Sequence, residues 1–335
     1  MRTTLLVSAA LATLSACSVQ RWQSPGTGGV EDHLAHMSAA DLSAGAAARV
    51  TSLASQSQGI AGLPASAVSA PARLAASPRH AEWVKIAWEP GSKDSLMAWI
   101  VFPVRRDPAP VVVVVHEIFG LQTWVRGVAD QLAADGFIAI APDLISRVRG
   151  GPSSLELSGD SARRLIGGVD FAERNRGIVA AANYAMAQAA AVKKYGVVGY
   201  CWGGSTVFGH VVHNGAPGFS GGVAYYGGFP FVSGQAPNTT LNTDSIAKIK
   251  APIMLLNGSL DARIGASMPA LDSLMRLAGK TYSGKNYEGA IHGFLRAQDD
   301  PAANGTPAPA GSANVAASRD AWPTMLSFFR QHLGR

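Results

Sequence analysis

The segment Val197-Val198-Gly199-Tyr200-Cys201-Trp202-Gly203-Gly204 constrains this chain most. Its apolar, β-branched start reads as a buried strand. Glycines then flank one cysteine, as a sharp strand-to-helix turn requires where there is no room for neighbouring side chains. The pattern G-x-C-x-G is that of a nucleophile elbow with a thiol in place of the commoner hydroxyl. Such a turn lifts the sulfur over the carboxyl ends of the strands. The chain around it must therefore supply a sheet flanked by helices, with the thiol at one edge.

The rest of the sequence supplies those elements. Residues 83–88 alternate like a strand, a Pro-Gly turn follows at 90–91, and residues 96–102 form a second strand. Residues 111–115 are a continuous valine run, as expected of a strand buried on both faces. Helix patterns at 124–135, 171–191, 204–212, 268–277 and 318–332 alternate with strands at 137–141, 196–199, 221–226, 253–257 and 282–287. This alternation, with right-handed crossovers, gives an α/β architecture: a doubly wound, mainly parallel sheet with helices on both faces. Residues 299–312, rich in Pro, Ala and Gly, read as a loop.

The chain is 335 residues long, 47% hydrophobic and 15% charged, which suits a globular protein with a substantial core and excludes a disordered one. The net charge of +6 comes from scattered Lys and Arg with no basic block, so nucleic acid is not an expected partner. The N-terminus reads as a targeting segment. Arg2 precedes an apolar run at 5–14 that is too short to span a bilayer, and Leu14-Ser15-Ala16-Cys17 places small residues before a cysteine. The order resembles a bacterial lipoprotein signal: residues 1–16 are removed, Cys17 is lipidated, and the mature protein is anchored to a membrane facing the periplasm. An ordinary signal peptide would instead leave it secreted. Residues 17–78, rich in Ala, Ser, Gly and Pro, are expected to be a flexible tether with one short helix near 39–53, and residues 79–335 the folded domain. The only other cysteine is Cys201, so with Cys17 lipidated the thiol at the turn has no disulfide partner.

A thiol nucleophile needs a base, and the base needs a group to orient it. The chain order nucleophile, acid, histidine is met by Cys201, by Asp261 in the turn after the strand at 253–257, and by His292 in a loop before the last helix. Asp261 would fix the tautomer of His292, which would shuttle the proton. His116, His210, His213 and His332 do not fit that order, and Asp244 and Asp272 read as surface residues. The segment His116-Glu117-Ile118-Phe119-Gly120 begins like a zinc-binding H-E-x-x-H, but Gly120 stands where the second histidine is needed, and no metal is expected. It follows a strand, where the second oxyanion-hole amide is supplied, so the N–H groups of Ile118 and Trp202 are the expected pair. Glu117 is then a carboxylate at the mouth of the site.

Taken together, His116-Glu117-Ile118-Phe119-Gly120, Ala141-Pro142-Asp143-Leu144, Gly199-Tyr200-Cys201-Trp202-Gly203-Gly204 and His292-Gly293-Phe294 resemble the dienelactone hydrolase family, over roughly residues 83–333. The resemblance implies an α/β-hydrolase fold, a Cys–His–Asp triad, and hydrolysis of a small ester or lactone without a cofactor. It implies that Glu117 pairs with the resting thiol and helps to ionise it when substrate arrives. It also implies that Arg147 and Arg296 bind a substrate carboxylate, a task suited to forked guanidinium groups. Two other readings stand beside this one. A general envelope carboxylesterase or thioesterase would keep the triad without carboxylate capture. A non-catalytic envelope lipoprotein would keep only the fold. The sequence leaves the oligomeric state open.

Overall fold

The computed structural model describes residues 59–153, 159–234, 240–298, 300 and 312–334. In chain order the elements are α1 (Ala70–Ala75), β1 (Ala81–Ala87), β2 (Ser95–Val101), β3 (Ala109–Val115), α2 (Thr123–Ala134), β4 (Ile138–Pro142) and α3 (Ser146–Arg149). They continue with α4 (Gly159–Gly167), α5 (Phe171–Ala187), β5 (Ala191–Tyr200), α6 (Trp202–Val212), β6 (Phe219–Tyr225), β7 (Val232–Ser233) and β8 (Thr240–Leu241). The last are α7 (Thr243–Lys248), β9 (Ile253–Gly258), α8 (Ala262–Leu277), β10 (Tyr282–Tyr287), α9 (Phe294–Ala297) and α10 (Ala313–Leu333).

Among the described residues, eight strands form one sheet in the order β1-β2-β4-β3-β5-β6-β9-β10. β1 and β2 pair antiparallel, β2 pairs antiparallel with β4, and every pairing from β4 to β10 is parallel. This is the doubly wound α/β-hydrolase architecture. β3 is buried along its whole length because it lies between β4 and β5 with helices above and below. Its register sets Val113 against Ile140 on one side and Val197 on the other. The carboxyl ends of β3, β5, β6 and β9 therefore lie side by side, and the loops leaving them converge on one edge.

Three boundaries differ from the sequence expectation. The alanine-rich helix α5 stops at Ala187, because Ala191 already pairs with Ala109 in the sheet and strand pairing overrides alanine's helix preference. α6 starts at Trp202, directly after Cys201, without an intervening turn. The third difference concerns the tether. Residues 59–78, expected to belong to it, are packed onto the domain. Leu63, Ala65, Ser66, Val68, Ser69 and Ala70 are buried. Small side chains allow this, since a Cβ at Gly127 of α2 would already touch those of Ala70 and Ala65 at 3.4 and 3.5 Å. The Ala67 N–H donates to the Arg296 carbonyl at 2.9 Å, and the Gln298 amide donates to the Pro64 carbonyl at 3.0 Å. The signal segment, Cys17, the helix expected near 39–53 and nearly all of the loop at 299–312 lie outside the described residues. Among the described residues no helix is long and apolar enough to cross a membrane.

Candidate active site

Cys201 sits between β5 and α6 at φ 55° and ψ −117°, a conformation that non-glycine residues rarely adopt. The surroundings hold it there. A Cβ on Gly203 would meet the Val115 and His116 carbonyls at 2.4 and 2.6 Å, and one on Gly199 would meet the Gly203 carbonyl at 2.1 Å. Only glycine fits either place. The Cys201 N–H donates to the Tyr225 carbonyl at 3.1 Å, tying the turn to β6.

Asp261 ends the turn after β9, and His292 lies in the turn between β10 and α9. The two turns are stitched by the Ser259 N–H to the Tyr287 carbonyl at 2.8 Å and the Leu260 N–H to the Ala290 carbonyl at 3.0 Å. The side chains meet as the sequence predicts: His292 Nδ1 donates to Asp261 Oδ2 at 2.6 Å, and both residues are buried. Burial alone would lower the basicity of His292. The charge of Cys201, hydrogen bonds to Asp261 and Cys201, and the Asp261 charge outweigh it and push the imidazole up to about 10. The imidazole is thus close enough to Cys201 to respond to it, with Asp261 orienting the ring from the other side.

The segment after β3 wraps the other side of the thiol. His116 is buried; its Nδ1 donates to the Glu117 carbonyl at 2.6 Å, its Nε2 accepts from the Leu144 N–H at 3.0 Å, and its ring stacks on Trp202 at 5.4 Å. Burial holds it below its usual range, so it is a neutral scaffold. Asp143 of the Pro-Asp-Leu motif is also structural: its carboxylate accepts from the Ser153 N–H at 2.6 Å and hydroxyl at 2.9 Å. The peptides of Ile118 and Trp202 belong to these two neighbouring turns.

The charged residues divide. Arg296 on α9 joins the cluster, its Nε 3.1 Å from Glu117 Oε2, with both side chains largely buried. Glu117 is therefore paired with an arginine. Arg147 is not brought to the cluster. Its guanidinium is claimed by Asp94, with Nε to Oδ2 at 2.9 Å, and by Glu173, and lies 4.2 Å from the Trp88 ring centre. Two carboxylates hold its guanidinium, whereas that of Arg296 meets Glu117. Tyr200 and Tyr226 were not singled out from the sequence, yet both are fully buried and lie within reach of the Glu117 charge. The available signal was the aromatic pair Tyr225-Tyr226 ending β6 next to the elbow. A cavity of about 1110 Å³ borders the elbow through Ser205, lined also by Gly228, Phe229, Leu241 and Arg263. Among the described residues no group of His, Cys, Asp or Glu side chains is placed to hold a metal ion.

Residues 96–333 match the model of the dienelactone hydrolase family. The chain belongs to the dienelactone hydrolase family. A protein of Methylorubrum extorquens named "Putative carboxymethylenebutenolidase" is 30% identical over 252 residues, covering 74% of this chain and 80% of that one. A Bradyrhizobium protein named "Probable 2-oxo-3-(5-oxofuran-2-ylidene)propanoate lactonase" is 27% identical over 255 residues, covering 75% and 94%. Among solved structures, a dienelactone hydrolase-titled protein of Klebsiella pneumoniae superposes with a TM-score of 0.59 at 24% identity, covering 76% of this chain and all of that one. That last likeness speaks for the fold. Family membership makes this dienelactone hydrolase relative a hydrolase.

Proposed function

We propose that this hydrolase opens a carboxylate-bearing lactone, or cleaves an ester of that kind, through an acyl-thioester on Cys201. The observation that carries the reading is the Asp261–His292 hydrogen bond at 2.6 Å with the imidazole beside the thiol. The Cys201 sulfur, its proton held by His292, attacks the carbonyl carbon. The Ile118 and Trp202 N–H groups receive the oxyanion. Collapse breaks the acyl C–O bond, and His292 protonates the departing oxygen. A water then gives a proton to His292 and attacks the thioester, releasing the acid and restoring the thiol. Arg296, at the rim of the same cluster, takes the substrate carboxylate. The Bradyrhizobium relative's name, a propanoate bearing an oxofuran ring, fits that substrate class.

A second reading is a general carboxylesterase or thioesterase. It is favoured by one observation: Arg147 is held by Asp94 and Glu173, so of the two arginines expected to take a carboxylate it is Arg296 that lies beside Glu117. The experiment offers the purified protein a carboxylated dienelactone and a neutral aryl ester. Turnover of the lactone, abolished in a folded Cys201→Ala variant, is expected. Turnover of the neutral ester alone would move the protein to the second reading, and activity retained in Cys201→Ala would end both. Anchoring through Cys17 belongs to the same proposal and predicts that Cys17→Ala moves the protein from the membrane fraction to the soluble one.

A further inference from the structure

Arg174, in the opening turn of α5, is a cation in a costly place. It is only 5% exposed. Among the described residues it makes no ion pair. Asp170 and Glu173 are its nearest acids in sequence, and both are engaged elsewhere: Asp170 accepts from the Glu173 N–H at 2.7 Å, and Glu173 holds Arg147. The start of a helix is also the positive end of its dipole, which disfavours a cation. Burial pulls the guanidinium down to about 9 against the opposing charges of Asp170 and Glu173, so it remains a cation at neutral pH. A buried charge without a counter-ion costs stability that an apolar side chain of the same size does not. Packing alone therefore does not account for an arginine here.

The charge is seated on the residue that follows the thiol. The guanidinium carbon lies 4.3 Å from the centre of the Trp202 ring and 4.3 Å from that of Phe171. Its Nε donates to the Val169 carbonyl at 2.9 Å, which fixes its orientation. The Trp202 ring is fully buried and stacks on His116 with the two planes 13° apart. His116 is kept neutral by burial, and the Arg174 charge works in the same direction. The stack therefore carries one positive charge, that of Arg174. Trp202 opens α6, and its own N–H is the group assigned to the oxyanion. Away from bulk water, a fixed charge behind such a donor acts on the negative charge that the donor receives. The carbonyl oxygen of a bound ester is neutral and gains its charge only as the sulfur attacks. Such a charge therefore favours the transition state over the bound substrate.

We propose that Arg174 is a positioning residue for the oxyanion: its buried charge, seated on the Trp202 ring, stabilises the negative oxygen held by the Trp202 N–H, whichever ester is bound. The inference rests on the acyl-thioester reading of Cys201 and on Trp202 as an oxyanion donor. Arg174 touches no substrate and acts through Trp202.

The test uses the full-length protein with Arg174→Met, Arg174→Lys and Arg174→Gln, and Cys201→Ala as the control. Arg174→Gln repeats the neutral case should methionine not be accommodated. The readouts are kcat and KM for a carboxylated dienelactone and for a neutral aryl ester, inhibition by an aryl trifluoromethyl ketone, and Tm. The sulfur adds to the carbonyl of that ketone, its proton passes to His292, and the ketone oxygen is left as an oxyanion. Arg174→Met is expected to lower kcat about tenfold on both substrates with KM little changed, and to weaken the ketone in the same proportion. Tenfold is about 1.4 kcal/mol, the scale of one unit charge acting over roughly 10 Å at an effective dielectric constant of about 20. Arg174→Lys, which keeps the charge, is expected to recover most of the loss. Tm of Arg174→Met should not fall, because a buried cation without an ion pair is what is removed. Unchanged kcat in both neutral variants overturns the proposal. So does a lysine variant as slow as the neutral ones, or a loss confined to KM. Turnover retained in Cys201→Ala ends the acyl-thioester reading, and this inference with it. Turnover abolished in Cys201→Ala but untouched by every change at Arg174 removes this inference alone.

Discussion

The elbow works because backbone crowding, not side-chain chemistry, selects its residues. Gly203 lies against two carbonyl oxygens of the neighbouring strand end, and neither can retreat without moving β3. Gly203→Ala is therefore expected to cost about 3 kcal/mol or more in urea unfolding, at the upper end of overpacking penalties, and to abolish turnover. A stable, active Gly203→Ala protein would show that the turn can relax. The thiol and imidazole also bear on stability. His292 is raised to about 10 when folded, against about 6.5 in an unfolded chain. Its contribution is thus fully present below about pH 6.5 and is lost as pH rises towards 10. Cys201→Ala removes the largest of the influences that raise it. Tm measured from pH 6.5 to 10 should fall more steeply in the wild-type protein than in Cys201→Ala. Parallel curves would mean the pair is not coupled. At this scale Cys201, Asp261 and His292 were legible as candidates because each sits in a short local pattern. Arg147 was not: its partners Asp94 and Glu173 stand 53 and 26 residues away, and only folding brings them to it. The tyrosines were hidden for the opposite reason, since an aromatic pair at a strand end reads as ordinary core.

Among the elements, α9 links the His292 turn to the start of the described chain. It carries Arg296 directly after the His292 turn, and its far end is covered by residues 63–76. Composition hides this, because an Ala-, Ser- and Pro-rich stretch reads as a tether. Those same small side chains are what allow a close approach to Gly127 of α2. Polar bonds complete the dock: Arg73 donates to the Leu63 carbonyl and to Gln131 at 2.7 Å each, and Arg79 donates to Asp130. Gln298 is the joint, fully buried, donating to the carbonyls of Pro64 and Leu295. Gln298→Ala should cost about 1–3 kcal/mol in urea unfolding, the range for stranding buried hydrogen-bonding groups, and should speed proteolytic cleavage within residues 59–78. Wild-type stability with unchanged cleavage would mean that the segment docks without this joint.

In the whole molecule, strand order and site location follow from one pattern, apolar strands alternating with amphipathic helices, and that pattern was readable throughout the domain. Less readable was how the core handles its polar residues, because burial of a histidine depends on contacts between distant elements. His210 on α6 is fully buried between the Tyr195 hydroxyl at 3.0 Å and the Asn175 amide oxygen at 2.6 Å, and burial drives it down to about 3. His116 is shifted the same way, by burial against β3 and Trp202. Both stay neutral in the fold while the unfolded chain would take up protons below about pH 6.5. A depressed histidine contributes stability that is present above its unfolded pKa and is lost as pH falls towards its folded one. Mild acid should therefore weaken this protein before its carboxylates titrate. Tm is expected to drop between pH 7 and pH 4.5, and to drop less in His210→Gln, whose side chain takes no proton even though it starts from a lower Tm at pH 7. A variant whose curve runs parallel to the wild type would assign the acid sensitivity to His116 or to surface charge, because removing the His210 imidazole would then have removed none of the proton linkage.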